Sequence, residues 1–281
     1  MFLNTVLLSL IVFVRYLCFA GGLYYLCYVW KRSAWQSKRI ATEPPSLKVM
    51  RHEFKYSVIS SVIFGFMGAW MYDLWQKGNT LIYLDFSKYG LAYAVFSLFV
   101  MMLIHDTYFY WTHRLLHIPW FYKKMHRVHH SSPNPSPWAA FCFHPIEAFI
   151  ESFYMPIIVF TVPAHPAVVI IFLMLMTVLG VINHLGYELY PAVFHRNKFL
   201  QGIISATNHS VHHRFNRFNY ALYFTWWDDL MRTRYLLDKT VLRKAGKVGI
   251  DSELHDLTGL TPVTEDGNSF ESKFPSLHIE F

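Results

Sequence analysis

The chain has 281 residues, 54% hydrophobic, 19% aromatic and only 15% charged, against about 25% charged in a typical soluble domain. That deficit argues against an ordinary water-soluble globule and points to contact with lipid. The net charge of +7 favours an anionic membrane surface over nucleic acid, because the basic residues flank apolar runs and form no stripe.

Phe2–Trp30 is apolar apart from Arg15 and a few small polar residues, which predicts a first transmembrane helix. It is too long for a signal-peptide core and carries no A-x-A-like cleavage site. Tyr56–Trp75 predicts a second span, and Leu91–Trp111 a third whose end already carries His105 and Asp106. Two shorter apolar runs follow, Ile146–Val162 and Ala167–Val181, joined by the turn signal Pro163–Ala164–His165–Pro166. Each falls short of the roughly 20 residues of a straight span, so a bundle of four to five spans is expected. Cys18, Cys27 and Cys142 make no disulfide framework and no CxxC pair, and read as small buried hydrophobes.

The loop Lys31–Lys55 carries seven Lys or Arg, whereas the loop after the second span has only Lys77 and Lys88. The positive-inside rule makes the first loop cytoplasmic. Counting spans onward then brings every histidine cluster to that same side. After Met231 the chain turns polar, and Thr261–Ser276 reads as a flexible tail. The expected organisation is a transmembrane region over 1–90, a catalytic domain over 91–235 and a polar tail over 236–281.

Histidine is the anomaly: the chain has 16, and 13 of them lie between His105 and His213. The first motif, His113–Arg114–Leu115–Leu116–His117, puts two imidazoles on one helical face. His126–Arg127–Val128–His129–His130 and His209–Ser210–Val211–His212–His213 share a second pattern. On a helix the outer pair of each shares a face, and the extra histidine points roughly 100° away. Such motifs can serve two neighbouring metals at once. A lone histidine is more often structural, but these eight on three segments would be destabilising if packed together without a metal. The number of imidazoles exceeds what one zinc takes and suits two metals; redox iron fits a lipid substrate better than hydrolytic zinc.

The ordered set His105 to His117, His126 to His130 and Asn208 to His213 resembles the fatty acid hydroxylase / sterol desaturase superfamily. Phe143–His144–Pro145–Ile146–Glu147, Asn183–His184–Leu185–Gly186–Tyr187–Glu188 and Phe218 to Asp228 are similar to that family's intervening segments. The resemblance covers roughly residues 95–235. It implies an all-α membrane protein: a transmembrane helical bundle under a cytosolic helical cap that holds a dimetal site, with iron in the active enzyme. It also implies His184 as a further ligand beside His113, His117, His126, His129, His130, His209, His212 and His213. Glu188 stands where some members have another histidine, and is a candidate ligand or ligand partner. His105 and His144 are candidates for the surroundings of the metals or the substrate cavity. Asp106, Asn208 and Asp228 are candidate acceptors for imidazole N–H groups. His52, His165, His195, His255 and His278 read as structural or exposed.

The expected activity is O2-dependent hydroxylation or desaturation of a lipid in a bacterial inner membrane or the endoplasmic reticulum. Nothing resembles a haem or flavin region, so electrons should come from an external NAD(P)H-linked reductase or redox protein. Two other readings stay open on the residues. One is a zinc-dependent membrane hydrolase with Glu188 or Glu147 as base. The other is a non-enzymatic haem- or metal-binding membrane protein. Haem carriers place single histidines on facing helices in mid-membrane, rather than in clusters at its edge.

Overall fold

A computed structural model describes residues 1–41, 43–191, 193–194, 197 and 199–235 of the chain. The expected tail over 236–281 lies outside these residues, as do His195, His255 and His278. Among the described residues the fold is helical, with only isolated bridges and no sheet.

Among the described residues four helices are long and apolar enough to cross a membrane, making this a multi-pass membrane protein. They are α1 (Phe2–Tyr24), prolonged by a π turn over Tyr25–Trp30, α2 (Leu47–Gln76), α3 (Gly90–Leu116) and α7 (Pro166–Asn183). The shorter helices of five residues or more among the described residues are α4 (Pro119–Lys124), α5 (Pro145–Ser152), α6 (Tyr154–Thr161), α8 (Ala206–Phe215) and α9 (Trp226–Leu230). The run expected as Ile146–Val162 is therefore not one span but the pair α5 and α6. Pro156 is the cause: it has no N–H to give, and its ring collides with the carbonyl of Ser152, the last residue of α5.

Local signals set the other ends. Ser46 caps α2 by accepting from the Val49 N–H, a contact worth roughly 1 kcal/mol. Pro145 and Pro166 open α5 and α7, where a missing N–H costs nothing. Ser205 and Asn208 form a reciprocal capping box on α8.

Connections fix which way each helix runs. The loops after α2 and after α6 meet at the Ile82–Ala164 bridge, marking one end of the bundle. At the opposite end Tyr28 donates to the Leu185 carbonyl at 2.7 Å, so α1 and α7 finish together there. α3 also finishes there, with His113 in its last turn. One pole thus collects the histidine segments.

Helices α1 and α2 touch closely at Gly65, where a Cβ would overlap the backbone of Ser9. The core of α3, α6 and α7 is built on Met101, Tyr154, Ile158 and Phe172. A short turn, Pro137–Phe141, tucks under the histidine pole. Ser57 and Tyr16 both donate to the Trp138 carbonyl, and buried Glu53 accepts from the Ser136 N–H and hydroxyl. Polar residues at helical spacing on an apolar helix therefore do structural service here, holding irregular backbone that lipid could not satisfy.

Candidate metal centre

Four segments deliver imidazoles to the pole. The last turn of α3 carries His113, with His117 as its C-cap. His126–Ser131 is a 3-10 helix, not an α-turn, begun after Met125 leaves helical geometry at φ −130° and ψ −60°. His184 caps the end of α7, and α8 carries His209, His212 and His213.

The nine histidines fall into two groups. His113, His117, His126, His130 and His212 form one, and His129, His184, His209 and His213 the other. Within each group the potential ligand nitrogens lie within 4.8 Å of one another. His126 and His130 enter one group while His129 enters its neighbour; His209 and His213 are likewise separated from His212. The spacing of three and four thus splits each motif between two adjacent sites.

Six of the nine rings are held at the nitrogen facing away from the groups. Nδ1–H donates to the Tyr220 carbonyl from His113 (2.8 Å), to Phe218 from His212 (2.6 Å) and to Gly180 from His184 (2.8 Å). His129 and His213 donate to Cys142 (3.2 Å) and Ser132 (3.1 Å). His126 instead donates to the Glu147 carboxylate at 2.6 Å. The tautomer is assigned by these acceptors, which take only N–H.

Each such Nε2 is then a lone pair turned inward. His129 and His184 bring two of them to 3.4 Å with no proton between. Nε2 of His113 is buried without any partner. Other inward pairs stand at 2.9 to 3.2 Å: His209 with His184, His126 with His117, His212 with His130 and His117, and His213 with His209. Two nitrogens bound to one metal at about 2.1 Å, at 90° to 109° to each other, would be about 3.0–3.4 Å apart. The residues present therefore fit metal ions at both groups.

Burial, reinforced by the neighbouring imidazoles, holds His117, His126, His129, His130, His209, His212 and His213 well below the ordinary imidazole range. Burial brings His184 down to about 4. All stay neutral, which is the form that binds metal.

The other expected site residues sit as follows. Glu188 accepts from the Thr207 N–H (3.1 Å) and hydroxyl (2.6 Å), capping α8, and belongs to neither group. Asn208 is spent in the capping box. Asp106 accepts from the Tyr223 N–H (2.7 Å) and the Trp226 indole (2.8 Å). Asp228 accepts from the N–H groups of Tyr220 (2.9 Å) and Ala221 (3.0 Å). The imidazole acceptors above are thus main-chain carbonyls and Glu147, not Asp106, Asn208 or Asp228. Asp106 and Asp228 act one step back, pinning the loop whose carbonyls hold His113 and His212. His144 caps α5. His105 pairs with the Tyr223 hydroxyl at 2.8 Å and lies below the centre.

Sequence reading missed the carbonyl acceptors altogether, since no side chain announces them. It also gave Glu147 only as a possible base. Its place two residues after Pro145, which opens the helix, was the available signal.

Beneath the centre is a cavity of about 180 Å³ between α1, α2, α3, α5, α6 and α7. Its upper wall touches the histidine groups: Phe109 lies 4.9 Å from the His113 ring, and Phe143 stacks on His129 at 5.1 Å. The lining is mostly apolar, with Arg15, His105, Glu151 and Ser152 as exceptions. Arg15 is 9% exposed in mid-span, a placement costing about 2.5–3.5 kcal/mol on insertion scales.

Residues 98–233 match the fatty acid hydroxylase family model. The Delta(7)-sterol 5(6)-desaturase ERG3B of Gibberella zeae is 30% identical over 154 residues, which is 54% of this chain and 46% of that protein. Human lathosterol oxidase is 30% identical over 181 residues, 64% of this chain and 59% of that protein. The C-4 methylsterol oxidase erg25 of Schizosaccharomyces pombe is 31% identical over 144 residues, 50% of this chain and 47% of that protein. The match thus spans about half the length of these relatives. No solved structure matches the chain. With the histidine motifs all inside the matched segment, the chain belongs to the fatty acid hydroxylase / sterol desaturase superfamily.

Proposed function

We propose that the protein is a membrane-bound, O2-dependent oxidase that hydroxylates or desaturates a lipid, with two iron ions held by the nine histidines. The carrying observation is the pair of adjacent imidazole groups, into which six of the nine rings turn an unprotonated Nε2. Bound iron would supply the redox chemistry by which O2 is reduced and a C–H bond is oxidised. The first group would hold one ion and the second group the other.

The protein's own part is positioning and exclusion. Carbonyls of Ser132, Cys142, Gly180, Phe218 and Tyr220, with the Glu147 carboxylate, orient the rings and keep their Nε2 atoms unprotonated. Phe109 and Phe143 separate the ligands from the cavity and keep the approach apolar. A lipid in that cavity would present one carbon at the wall beneath the metals, which is the alignment oxidation of an unactivated C–H bond requires. The likeness to sterol desaturases and sterol oxidases makes sterols the first substrates to try, followed by fatty acyl and ether lipids. Electrons would come from an external NAD(P)H-linked reductase or redox protein. The basic loop before α2 supports a cytoplasmic histidine pole, in the endoplasmic reticulum or a bacterial inner membrane.

The engagement of Glu147 by His126 and of Glu188 by Thr207 favours this reading over a hydrolase, for which those two carboxylates were the candidate bases. The test is O2 uptake and product analysis for iron-loaded protein with NAD(P)H, a reductase and membrane lipids. Coupled O2 consumption and oxidised lipid are expected. Absence of both across sterols, fatty acyl lipids and ether lipids would overturn the proposal.

A further inference from the structure

Arg15 has no role in the centre, yet it is the most costly residue in α1. It is 91% buried as the complement of its 9% exposure, and its Nε has no hydrogen-bond partner. Among the described residues no hydrogen bond or ion pair reaches its guanidinium. It lines the inner cavity, and it also lines a second cleft between α1 and α7 formed with Leu10, Val14, Cys18, Phe19 and Met174. Its guanidinium therefore stands where an opening on the lipid side meets the interior.

Its surroundings are half prepared for an oxygen. Tyr154 lies within electrostatic reach of Arg15, and its ring sits 3.9 Å from that of His105. Glu151 also lines the cavity, with one carboxyl oxygen taken by Thr112 and the other unpartnered. Buried charges without partners are rare and mark substrate paths in membrane proteins. A guanidinium offers donors only, so what completes it must be an acceptor.

We propose that Arg15 anchors an oxygen of the lipid substrate, a hydroxyl or a carboxylate, which enters sideways between α1 and α7. His105, which lines the same cavity as Arg15, precedes His113 by eight residues of one helix, which sets that part of the cavity about 12 Å below His113. The carbon that is oxidised then lies further along the molecule from the anchored oxygen, at the cavity wall beneath the histidine groups. A lipid with no such oxygen is held poorly. The proposal rests on the oxidase reading for its second half, the oxidised position. The anchoring itself does not.

The test is ligand-induced thermal stabilisation of the full, metal-loaded chain in detergent, which needs no turnover. Two matched sets serve as probes: palmitic acid, hexadecanol and hexadecane; and cholestanol with cholestane. Wild-type protein should bind one oxygen-bearing member at least tenfold more tightly than its oxygen-free counterpart. The arm that responds identifies carboxylate or hydroxyl. Arg15→Met should abolish that preference, and Arg15→Lys should retain part of it, with metal content unchanged in both. A wild-type protein that does not discriminate, or an Arg15→Met variant that discriminates as wild type does, overturns the proposal. If Arg15→Met does not fold, loss of the preference in Arg15→Gln supports the proposal and its persistence overturns it. If anchoring is found but no lipid is oxidised, only the oxidase reading falls.

Discussion

Glu147 accepts a hydrogen bond from His126 Nδ1 at 2.6 Å, and both side chains are nearly inaccessible to water. This is the single carboxylate–imidazole contact found at the centre among the described residues, the other held rings being fixed by carbonyls. Glu147→Ala leaves His126 free to rotate or to adopt the wrong tautomer. Metal affinity at the first group should drop about 10- to 100-fold, as when such outer partners are removed elsewhere. Glu147→Gln keeps an acceptor oxygen and should lose less. Chelator-driven metal loss, followed by elemental analysis, measures both; equal retention by Glu147→Ala and wild type would refute the role.

The two groups should empty separately. His130→Ala deletes a member of the five-histidine group, and His209→Ala a member of the four-histidine group. Each is expected to lower metal content from two ions per chain toward one, while either alone removes at least 99% of lipid oxidation. Elemental analysis against protein concentration checks the first expectation. A stoichiometry that falls to zero with either substitution would mean one shared site.

The metal-free protein should be acid-sensitive. The folded histidines have depressed pKa values, His184 at about 4, while in the unfolded chain an imidazole titrates near 6.5. Between those values the unfolded state binds protons that the folded state refuses. Stability is therefore intact above about 6.5 and is lost as the pH falls towards 4, by up to about 1.4 kcal/mol per pH unit per imidazole. Bound metal should protect, because protons must then displace it. Thermal midpoints of apo protein between pH 8 and 5, in steps, give the slope; a midpoint that rises on acidification contradicts the assignment.

Asp228 works through the backbone. It accepts from Tyr220 and Ala221 N–H and from the Thr233 hydroxyl at 2.7 Å. Asp228→Ala strands these buried donors, at about 1–3 kcal/mol each. It should also loosen the Tyr220 carbonyl that holds His113, and so weaken the first group more than the second. Unfolding by denaturant together with metal stoichiometry would show both effects. A variant with normal stability but no metal would instead indicate direct ligation.

How far the sequence reached depends on the kind of information each feature carries. Apolar length gave α1, α2, α3 and α7, because a membrane allows few alternatives to a helix of that size. Histidine spacing gave the division of the α8 motif, because residues four apart on an α-helix share a face; in the 3-10 turn His126–Ser131, where residues three apart eclipse, the pairing of His126 with His130 is not set by helical geometry. The Pro156 break was written in the chain but was read as part of one apolar run. What stayed hidden is long-range and main-chain in nature: Cys142 and Ser132 meeting His129 and His213, or Glu53 reaching Ser136. No local pattern encodes which distant carbonyl an imidazole will find.

Because backbone oxygens grip most of these rings, the identity of the gripping residue hardly matters. Residues 132, 142, 180, 218 and 220 could change their side chains and still offer the same oxygen. Their count along the chain cannot change so freely. Inserting or deleting one residue between Phe218 and Asp228 would slide a carbonyl away from its imidazole. In this protein the spacing of the cap should prove more fragile than its spelling.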